Sequence, residues 1–320
     1  ESDQLENLDF DALDRDNLIP NEYENKIMKV TVWGGSGFLG SHVCDVLTES
    51  GHTVTIADLI ESPWIKDNQK MFIGDVTNLS DVVRSTKGSD IVYNFAGIAD
   101  IGEANDDPVG TIEQNIKGNL NILEAATENN IKRYIFASTI YVYSQSGGFY
   151  RCSKQACELY IEEYADKYNL NYSILRFGTL YGPRSNKNNS IYYFIKQALQ
   201  NEKIMYDGKA DSIREYIHVR DAAKVCLDIM DEQFSNQHFV ITGVQPRKVK
   251  NTIKMIAEIL KKNELDAEFE QKENNYHYEF TPYSYNPRIG NKFTLPVHID
   301  FGQGILQLIE QIRGELDNEG

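Results

Sequence analysis

The stretch VTVWGGSGFLGSHV, residues 30–43, places four glycines directly after a short apolar run. The apolar residues predict a buried strand, and the residues from Ser41 onward predict a helix. Gly34, Gly37 and Gly40 follow the spacing G-x-x-G-x-x-G. Glycines in such a turn let a phosphate approach the backbone, and the first amides of the following helix attract its negative charge. The same pattern is compatible with a simple turn, so its interpretation depends on residues further along the chain.

An acidic residue follows at a distance that suits a dinucleotide-binding turn. Asp58 ends the next apolar run, VTIAD, 18 residues after Gly40. A carboxylate at this place binds the two hydroxyls of an adenosine ribose and repels a 2′-phosphate. The combination therefore predicts NAD, and not NADP, as the cofactor.

Strand-like and helical segments alternate from Met28 onward, which predicts an α/β fold with a doubly wound parallel sheet of the Rossmann type. The runs rich in β-branched and aromatic residues are KVTVWG, HTVTIAD, KMFIGD, DIVYNFAG, KRYIFAST and NYSILRFG. We assign 28–180 to this NAD-binding domain, and we expect 216–245 to return to it. The regular rhythm weakens after about residue 180, so 181–215 and 246–320 are predicted to form a smaller, discontinuous α/β substrate domain.

Charge and composition exclude several classes of function. The formal net charge of −16 argues against a nucleic-acid partner, which would need a basic face. No apolar stretch approaches the roughly 20 residues that span a bilayer, so no membrane association is expected. The four cysteines and six histidines show no metal-type spacing, so we predict no metal site and expect reduced thiols in a cytoplasmic protein.

Residues 1–27 differ from the rest of the chain, with nine acidic side chains against two basic ones. We interpret them as an acidic tail, or as a linker from an upstream module. The alternative is that the apolar side chains in this segment form a stripe that docks on a partner surface. Those side chains are Leu5, Leu8, Phe10, Leu13, Leu18 and Ile19.

Tyr150 and Lys154 lie four residues apart at the start of a predicted helix, so their side chains share one face. A tyrosine hydroxyl has an ordinary pKa near 10, too high for an efficient base at neutral pH. A nearby ammonium group and the positive nicotinamide ring of NAD favour the phenolate. Ser138 and Thr139 end the preceding strand and bring two hydroxyls to the carboxyl edge of the sheet, where ligands bind in this class of fold.

Together these motifs resemble an extended short-chain dehydrogenase/reductase of the NAD-dependent nucleotide-sugar epimerase/dehydratase group, with UDP-glucose 4-epimerase-like members. The matching segments are GGSGFLG, Asp58, GDV at 74–76, NFAG at 94–97, N-x-x-G at 115–118, ST at 138–139, YRCSK, LRFGTLYGPR and REYIHVRDAA. They run in the family's order from about residue 30 to 245. The full set is far more specific than any single motif.

The resemblance implies roles for individual residues. Tyr150 is similar to the family's general base, Lys154 to its ribose-binding partner, and Thr139 to the hydroxyl that binds the sugar oxygen to be oxidised. The implied cofactor contacts, besides Tyr150 and Lys154, are Gly34, Ser36, Gly37, Phe38, Leu39, Gly40, Asp58, Asp75, Val76, Ala96, Gly97, Asn115 and Ser138. The implied substrate contacts, besides Thr139, are Thr179, Arg184 and Arg214, with a surface ion pair as the alternative for Arg214 and a structural role as the alternative for Arg184.

Departures from the family pattern narrow the expected reaction. Where 4,6-dehydratases carry Asp-Glu after the catalytic Thr, this chain has Ile140 and Tyr141, which predicts that elimination and decarboxylation are disfavoured. Arg184 stands where reductase-epimerases resembling GDP-fucose synthase place a His, which argues against 3,5-epimerisation. The loop between Thr139 and Tyr150, with SQSGGF at 144–149, is also shorter than in relatives, and it predicts a more open sugar pocket.

The resulting hypothesis is an NAD-dependent nucleotide-sugar epimerase that acts at C4 through a transient 4-keto intermediate, with Tyr150 as base. The alternatives are a nucleotide-sugar dehydrogenase or reductase that releases a keto product, and a non-catalytic NAD-binding regulator or scaffold. The expected partner is a nucleotide-diphosphate sugar, whose base and sugar the sequence leaves open. The resemblance also implies a homodimer, paired through the helices near 107–129 and 152–168.

Overall fold

The structure is a computed structural model that describes residues 26–200, 203–262, 266–270, 277–279 and 290–319. The predictions for residues 1–25 lie outside the described residues. The strands are β1 (Lys29–Trp33), β2 (Thr53–Asp58), β3 (Lys70–Ile73), β4 (Ile91–Asn94), β5 (Arg133–Thr139), β6 (Tyr172–Phe177), β7 (Thr179–Tyr181), β8 (Lys203–Asp207), β9 (Ile213–His218), β10 (Gln237–Ile241), β11 (Pro246–Lys248), β12 (Asp266–Glu270) and β13 (Asn291–Lys292).

The helices are α1 (Phe38–Glu49), α2 (Leu79–Thr86), α3 (Ile101–Asp106), α4 (Pro108–Thr111), α5 (Gly118–Glu128), α6 (Gly148–Tyr168), α7 (Ser190–Gln200), α8 (Val219–Asp228), α9 (Val249–Ile259) and α10 (Phe301–Glu319). A π-helical turn at Ile112–Lys117 joins α4 to α5, and a 3₁₀ turn at Ile140–Tyr143 follows β5. No helix within the described ranges combines the length and the apolar character that a membrane crossing needs.

Eight strands form one parallel sheet in the order β13-β10-β6-β5-β4-β1-β2-β3. The chain builds outward from β1 in one direction through β2 and β3, and in the other through β4, β5 and β6. This reversal between β1 and β4 opens a crevice at their carboxyl ends, where ligands bind in such folds. The predicted α/β fold with a doubly wound parallel sheet is confirmed.

Helices cover both faces of the large sheet, which explains why strands such as β4 are buried along their whole length. On one face α1 packs against α8, and Val43, Leu47 and Val225 belong to that core. On the other face α2, α5 and α6 bury Val82, Ile122 and Ile161 against the sheet. Two apolar layers therefore fix the strand ends that border the crevice.

The remaining described strands form a three-stranded sheet, β11-β9-β7, and a two-stranded sheet, β12-β8. A third apolar cluster joins them to α7, α9 and α10. Two elements from the range 216–245 belong to the large-sheet domain: β10 is a strand of the sheet, and α8 packs in the helical layer that covers it. Strand β9, at 213–218, belongs to the three-stranded sheet. Strand β13 pairs with β10 of the large sheet, although the sequence assigned 246–320 to the second domain.

Candidate active site

In the glycine turn after β1, backbone atoms of neighbouring segments lie so close that a side chain would not fit. Gly34 has φ +77°, and a Cβ there would lie 2.6 Å from the Ala96 amide nitrogen. A Cβ on Gly40 would overlap the carbonyl oxygen of Gly34. Helix α1 starts after Gly37, and no side chain caps its N-terminus. The first amides and the positive end of the helix dipole are therefore available to an anion such as a pyrophosphate.

We expect Gly40→Ala to disrupt this turn. The added methyl group must displace the backbone of Gly34, and overpacking of this kind costs about 1–3 kcal/mol of stability. Thermal unfolding and NAD titration should show a lower Tm and at least tenfold weaker NAD binding. Gly314→Ala is the control, because a Cβ at Gly314 meets nothing within 4 Å in helix α10. Equal Tm and NAD affinity in both variants would contradict the assignment of the turn.

Asp58 ends β2 beside this turn. Its carboxylate accepts hydrogen bonds from the amides of Ser36, at 3.0 Å, and Leu59, at 2.8 Å. A carboxylate offers about four acceptor positions, so capacity remains for ribose hydroxyls. The hydroxyl of Ser36 donates to the carbonyl of Ile60 at 2.9 Å. Ser36 therefore stabilises the turn with its side chain, and only its neighbours Gly34, Gly37, Phe38, Leu39 and Gly40 line the cleft.

The segment after β3 carries two of the predicted adenine contacts. The carboxylate of Asp75 accepts hydrogen bonds from the amide and the hydroxyl of Thr77, both at 2.8 Å. Val76 is buried, and its carbonyl accepts from the side chain of Asn121 at 2.9 Å. These contacts order the loop at the carboxyl end of β3, on the same sheet edge as Asp58. The adenine contacts themselves stay predictions.

Asn115 lies in the π-helical turn and joins three parts of the site. Its side-chain oxygen accepts from the Ile98 amide at 2.7 Å, and its nitrogen donates to the Ile98 carbonyl at 3.0 Å and to the Ser153 hydroxyl at 2.9 Å. A Cβ on Gly97, with φ +127°, would overlap this amide. Asn115 therefore ties the loop after β4, which includes Ala96, to helix α6. Its predicted contact with the cofactor is not tested by this geometry.

The predicted catalytic residues come together at the carboxyl end of β5. Thr139 is hydrogen-bonded to the Tyr150 hydroxyl, and burial raises the pKa of Tyr150 to about 12 while this hydrogen bond opposes the shift. The ammonium of Lys154 donates to the Ala137 carbonyl at 2.9 Å and lies 5.9 Å from the centre of the Tyr150 ring. Burial lowers the pKa of Lys154. All three side chains line one cleft of about 700 Å³.

Ser138, in contrast, directs its hydroxyl into the protein, where it donates to the buried carboxylate of Glu158. Arg176 on β6 is fully buried and binds the same carboxylate with two nitrogens, at 3.0 and 2.6 Å. Arg176 also donates to the Tyr143 hydroxyl at 2.6 Å and to Nδ1 of His238 at 2.7 Å. No sequence motif indicates this network, although Glu158 follows Lys154 by one helical turn.

The two arginines proposed for the substrate lie in different places. Arg214 on β9 is buried and lines the cleft, with its guanidinium 4.5 Å from the ring centre of Tyr278. Arg184 instead pairs with Asp45 of α1 at 2.7 Å and lies 5.2 Å from the ring centre of Trp64. It does not line the cleft, so its geometry favours the structural alternative over a substrate contact. Thr179, at the start of β7, does line the cleft.

Next to Tyr150 the cleft is bordered by Tyr141 and by His277, whose approach no sequence motif indicates. The Tyr141 ring packs edge-on against Tyr150, with centres 6.4 Å apart, and lies 4.8 Å from the Tyr278 ring. The Tyr141 hydroxyl is hydrogen-bonded to Nδ1 of His277 at 2.7 Å. His277 borders the cleft on this side, and the open sugar pocket expected from the short 144–149 loop stays a prediction.

Within the described ranges, no group of three His, Cys, Asp or Glu side chains could hold a metal ion. The groups that line the cleft are hydroxyl, ammonium and guanidinium groups, beside the glycine turn and Asp58 that fit a dinucleotide. All four cysteines are free thiols, three of them buried.

Comparison with known proteins agrees with this geometry. YtcB of Bacillus subtilis, an uncharacterized UDP-glucose epimerase, is 24% identical over 72% of this chain and 82% of its own length. A UDP-glucuronate 4-epimerase of Thermodesulfobacterium geofontis is 26% identical over 60% of this chain and 68% of its own. The structure of Thermotoga maritima UDP-glucose 4-epimerase with UDP-glucose superposes with a TM-score of 0.78 at 23% identity, covering 90% of this chain and all of that one.

The model of the NAD-dependent epimerase/dehydratase family matches residues 30–242, which is most of the chain. The matched span contains the glycine turn, Asp58, Thr139, the Tyr150/Lys154 pair and Arg214. It confirms the predicted family, the enzyme class and NAD as the cofactor. The chain belongs to the NAD-dependent epimerase/dehydratase family.

Proposed function

We propose that this protein is an NAD-dependent nucleotide-sugar 4-epimerase. The observation that carries the proposal is that Thr139, Tyr150 and Lys154 line the same cleft as Arg214. A proton acceptor and an anion-binding group therefore face one cavity, large enough for a nucleotide sugar beside a dinucleotide. Arg214 is buried with few competing partners, its guanidinium donating to the Ile213 carbonyl at 2.9 Å and to the Tyr206 hydroxyl at 3.5 Å.

The residues at the crevice fit NAD. The uncapped N-terminus of α1 and the glycine turn suit its pyrophosphate, Asp58 suits the adenosine ribose, and the Lys154 ammonium suits the other ribose. When bound, NAD supplies a hydride acceptor that can also return the hydride. Every other group that takes part in the reaction is a side chain of this protein.

Thr139 and Tyr150 are placed to handle the proton of the sugar hydroxyl. Thr139 binds the C4 oxygen, and Tyr150, as phenolate, accepts the hydroxyl proton while C4 becomes a ketone. Lys154 stabilises the phenolate electrostatically from one helical turn away. Reprotonation of the C4 oxygen by Tyr150, after the keto sugar has turned its other face, completes the inversion at C4.

The position of Arg214 in the cleft favours a diphosphate-linked substrate, because a planar guanidinium binds phosphate oxygens in a bidentate manner. We propose a UDP-sugar, since the Thermotoga maritima structure is a UDP-glucose 4-epimerase with UDP-glucose and another similar structure is a UDP-N-acetylglucosamine 4-epimerase from Methanobrevibacter ruminantium. The sugar pocket beside Tyr141 and His277 then determines which hexose is accepted.

The test is turnover without added cofactor. Purified protein should carry bound NAD(H) and interconvert the C4 epimers of one member of a panel of UDP-, GDP-, dTDP- and CDP-sugars, followed by chromatography. If the panel gives only stoichiometric NADH, the protein is a dehydrogenase that releases a keto product. Bound NAD with neither product would favour a non-catalytic regulator or scaffold.

We expect Asp58→Asn to change cofactor selectivity. The substitution removes the negative charge that repels a 2′-phosphate and weakens the hydrogen bonds to the ribose hydroxyls, which are worth about 1.5–3 kcal/mol when charged. Titration should show NAD binding weakened about tenfold or more and the NAD/NADP preference reduced. Asp107→Asn is the control, since that carboxylate caps α4. Unchanged selectivity in Asp58→Asn would contradict the ribose assignment.

We also propose a homodimer in the cytoplasm. Large apolar side chains are exposed on the helical layer formed by α4, the π-helical turn and α6, with Val109 71%, Ile112 53% and Leu159 54% exposed. Pairing of this layer with a second copy would bury them. Light scattering should give twice the mass of 36.5 kDa, and Leu159→Lys should reduce it to that of one chain.

A further inference from the structure

The β7–α7 loop, residues 182–189, borders the cleft but carries none of the catalytic residues. Its residues that line the cleft are Asn186, Lys187, Asn188 and Asn189. Amide and ammonium groups can donate hydrogen bonds to the oxygens of phosphates and sugars. The position of this loop therefore affects how a nucleotide sugar is held beside the cofactor.

The end of the loop next to α7 is fixed by Asn189. Its side-chain nitrogen donates to the Leu180 carbonyl at 2.7 Å, and its side-chain oxygen accepts from the Ile191 amide at 3.1 Å. These contacts join the loop only to β7 and α7, the two elements that it connects. They do not set the distance between the loop and the cofactor-binding part of the protein.

Arg184 fixes the other end of the loop to two helices that are distant in sequence. Its guanidinium donates to the Asp45 carboxylate of α1 at 2.7 Å, and its amide donates to the side-chain oxygen of Gln311 in α10 at 2.9 Å. The guanidinium also lies 5.2 Å from the ring centre of Trp64. The side chains of Arg184 and Asp45 are 19% and 13% exposed, so solvent ions screen this pair less than a surface pair.

Helix α1 connects this loop to the cofactor site, because the helix begins directly after the glycine turn. Besides Asp45, His42 of α1 contacts the loop, and its Nε2 donates to the Pro183 carbonyl at 3.0 Å. The loop is therefore held by the same helix whose first amides are available to a pyrophosphate.

The backbone conformation at position 184 disfavours an arginine. Arg184 has φ +67°, in the left-handed region, which costs free energy for any residue with a side chain and almost none for glycine. The contacts of the guanidinium with Asp45 and Trp64 offset this cost. Residues held in such conformations are often found at functional sites, so the arginine side chain has a role beyond filling the turn.

We propose that Arg184 is a positioning residue that fixes the β7–α7 loop against α1, so that the loop holds the nucleotide sugar in the correct place relative to the cofactor. Arg184 does not line the cleft itself, and it acts through residues 186–189. The inference rests on the proposed nucleotide-sugar function of the cleft. A purely structural ion pair would affect stability alone, whereas a positioning residue affects substrate binding.

Arg184→Gly tests the proposal, because glycine removes the side chain and also relieves the backbone strain. The Tm and the affinity for NAD should therefore stay close to the wild-type values. Hydrogen–deuterium exchange of the amides at 185–190, measured without substrate, should become faster. In calorimetric titrations of the NAD-loaded protein, the Kd for UDP-glucose should rise at least about tenfold, the effect of losing one hydrogen bond to a charged group.

Lys261→Gly is the matched control, because Lys261 is also a basic residue with a positive φ, +56°, and it does not line the cleft. Amide exchange at 185–190 and the Kd should both stay at the wild-type values. Asp45→Asn removes the partner on α1 and should weaken UDP-glucose binding as well. Adding it to Arg184→Gly should cause little further loss, since both residues act through one contact. Arg184→Lys keeps the charge and should retain part of the affinity.

Unchanged amide exchange at 185–190 or an unchanged Kd in Arg184→Gly would overturn the proposal, and so would an equal effect in Lys261→Gly. The epimerase assay reports separately on the proposed function. C4 inversion by Arg184→Gly with the wild-type KM removes the positioning role and leaves the epimerase. UDP-glucose binding that Arg184→Gly weakens, without C4 inversion by the wild type, removes the epimerase alone. A wild-type protein that does not bind UDP-glucose would overturn this proposal together with the proposed UDP-sugar substrate.

Discussion

Tyr150→Phe is expected to reduce turnover by about 10²- to 10⁴-fold, the usual contribution of a general base. The phenyl ring keeps the contact with Tyr141 but removes the oxygen that Thr139 binds and that accepts the sugar proton. Because the ring remains, the fold and the affinity for NAD should change little. The measurement is kcat for C4 inversion, with NAD content and thermal unfolding measured on the same preparation.

The pH dependence gives an independent check on the same residue. Only the phenolate of Tyr150 accepts a proton, and burial raises the pKa of Tyr150 to about 12 in the chain alone. Below its pKa in the loaded enzyme, the phenolate fraction rises tenfold per pH unit, so wild-type kcat should rise with pH. The residual activity of Tyr150→Phe should lack this dependence. Retention of wild-type turnover by Tyr150→Phe would show that another group is the base.

Arg176→Met is expected to destabilise the protein by about 3–5 kcal/mol, because it leaves the buried Glu158 carboxylate without its cation. Arg176 is 0% exposed and Glu158 6% exposed, so solvent cannot replace the lost partner. The hydrogen bonds to Tyr143 and His238 are lost as well. Since typical stabilities are about 5–15 kcal/mol, much of the total would disappear. Urea unfolding of the purified variant measures the change.

Two further variants serve as controls for this unfolding measurement. Lys224→Met removes an exposed ion pair with Asp228 and should cost no more than about 1 kcal/mol. Combining Arg176→Met with Glu158→Leu removes both buried charges, and it should recover part of the stability lost in the single variant. A loss below 1 kcal/mol in Arg176→Met would mean that the buried pair contributes little.

The NAD-binding half was predictable because its signals are local. The glycine turn, the strand that ends at Asp58 and the Tyr150/Lys154 spacing each depend on residues close together in the chain. Parallel strands bring their carboxyl ends to one edge, so the sequence order of these motifs already implied a common site. The fold class, the family and the cofactor followed from these features and were confirmed.

The arginines show what local reasoning left open. Both follow family motifs and carry the same charge, yet Arg214 lines the cleft while Arg184 pairs with Asp45 of α1. Asp45 is 139 positions from Arg184, and nothing in either segment indicates the other. Ser138 lines the same cleft, although its hydroxyl donates to Glu158 in the interior, so its predicted contact with the cofactor stays a prediction.

The sequence by itself determined the parallel sheet, the dinucleotide turn and the Thr139–Tyr150–Lys154 set, because strand period, helix spacing and glycine requirements act over a few residues. Only the tertiary structure decided which arginine lines the cleft, that Arg176 and Glu158 pair in the core, and that His277 lies against Tyr141. Those contacts join segments far apart in the chain. Their formation depends on how packed layers bring side chains together, which no short stretch of sequence encodes.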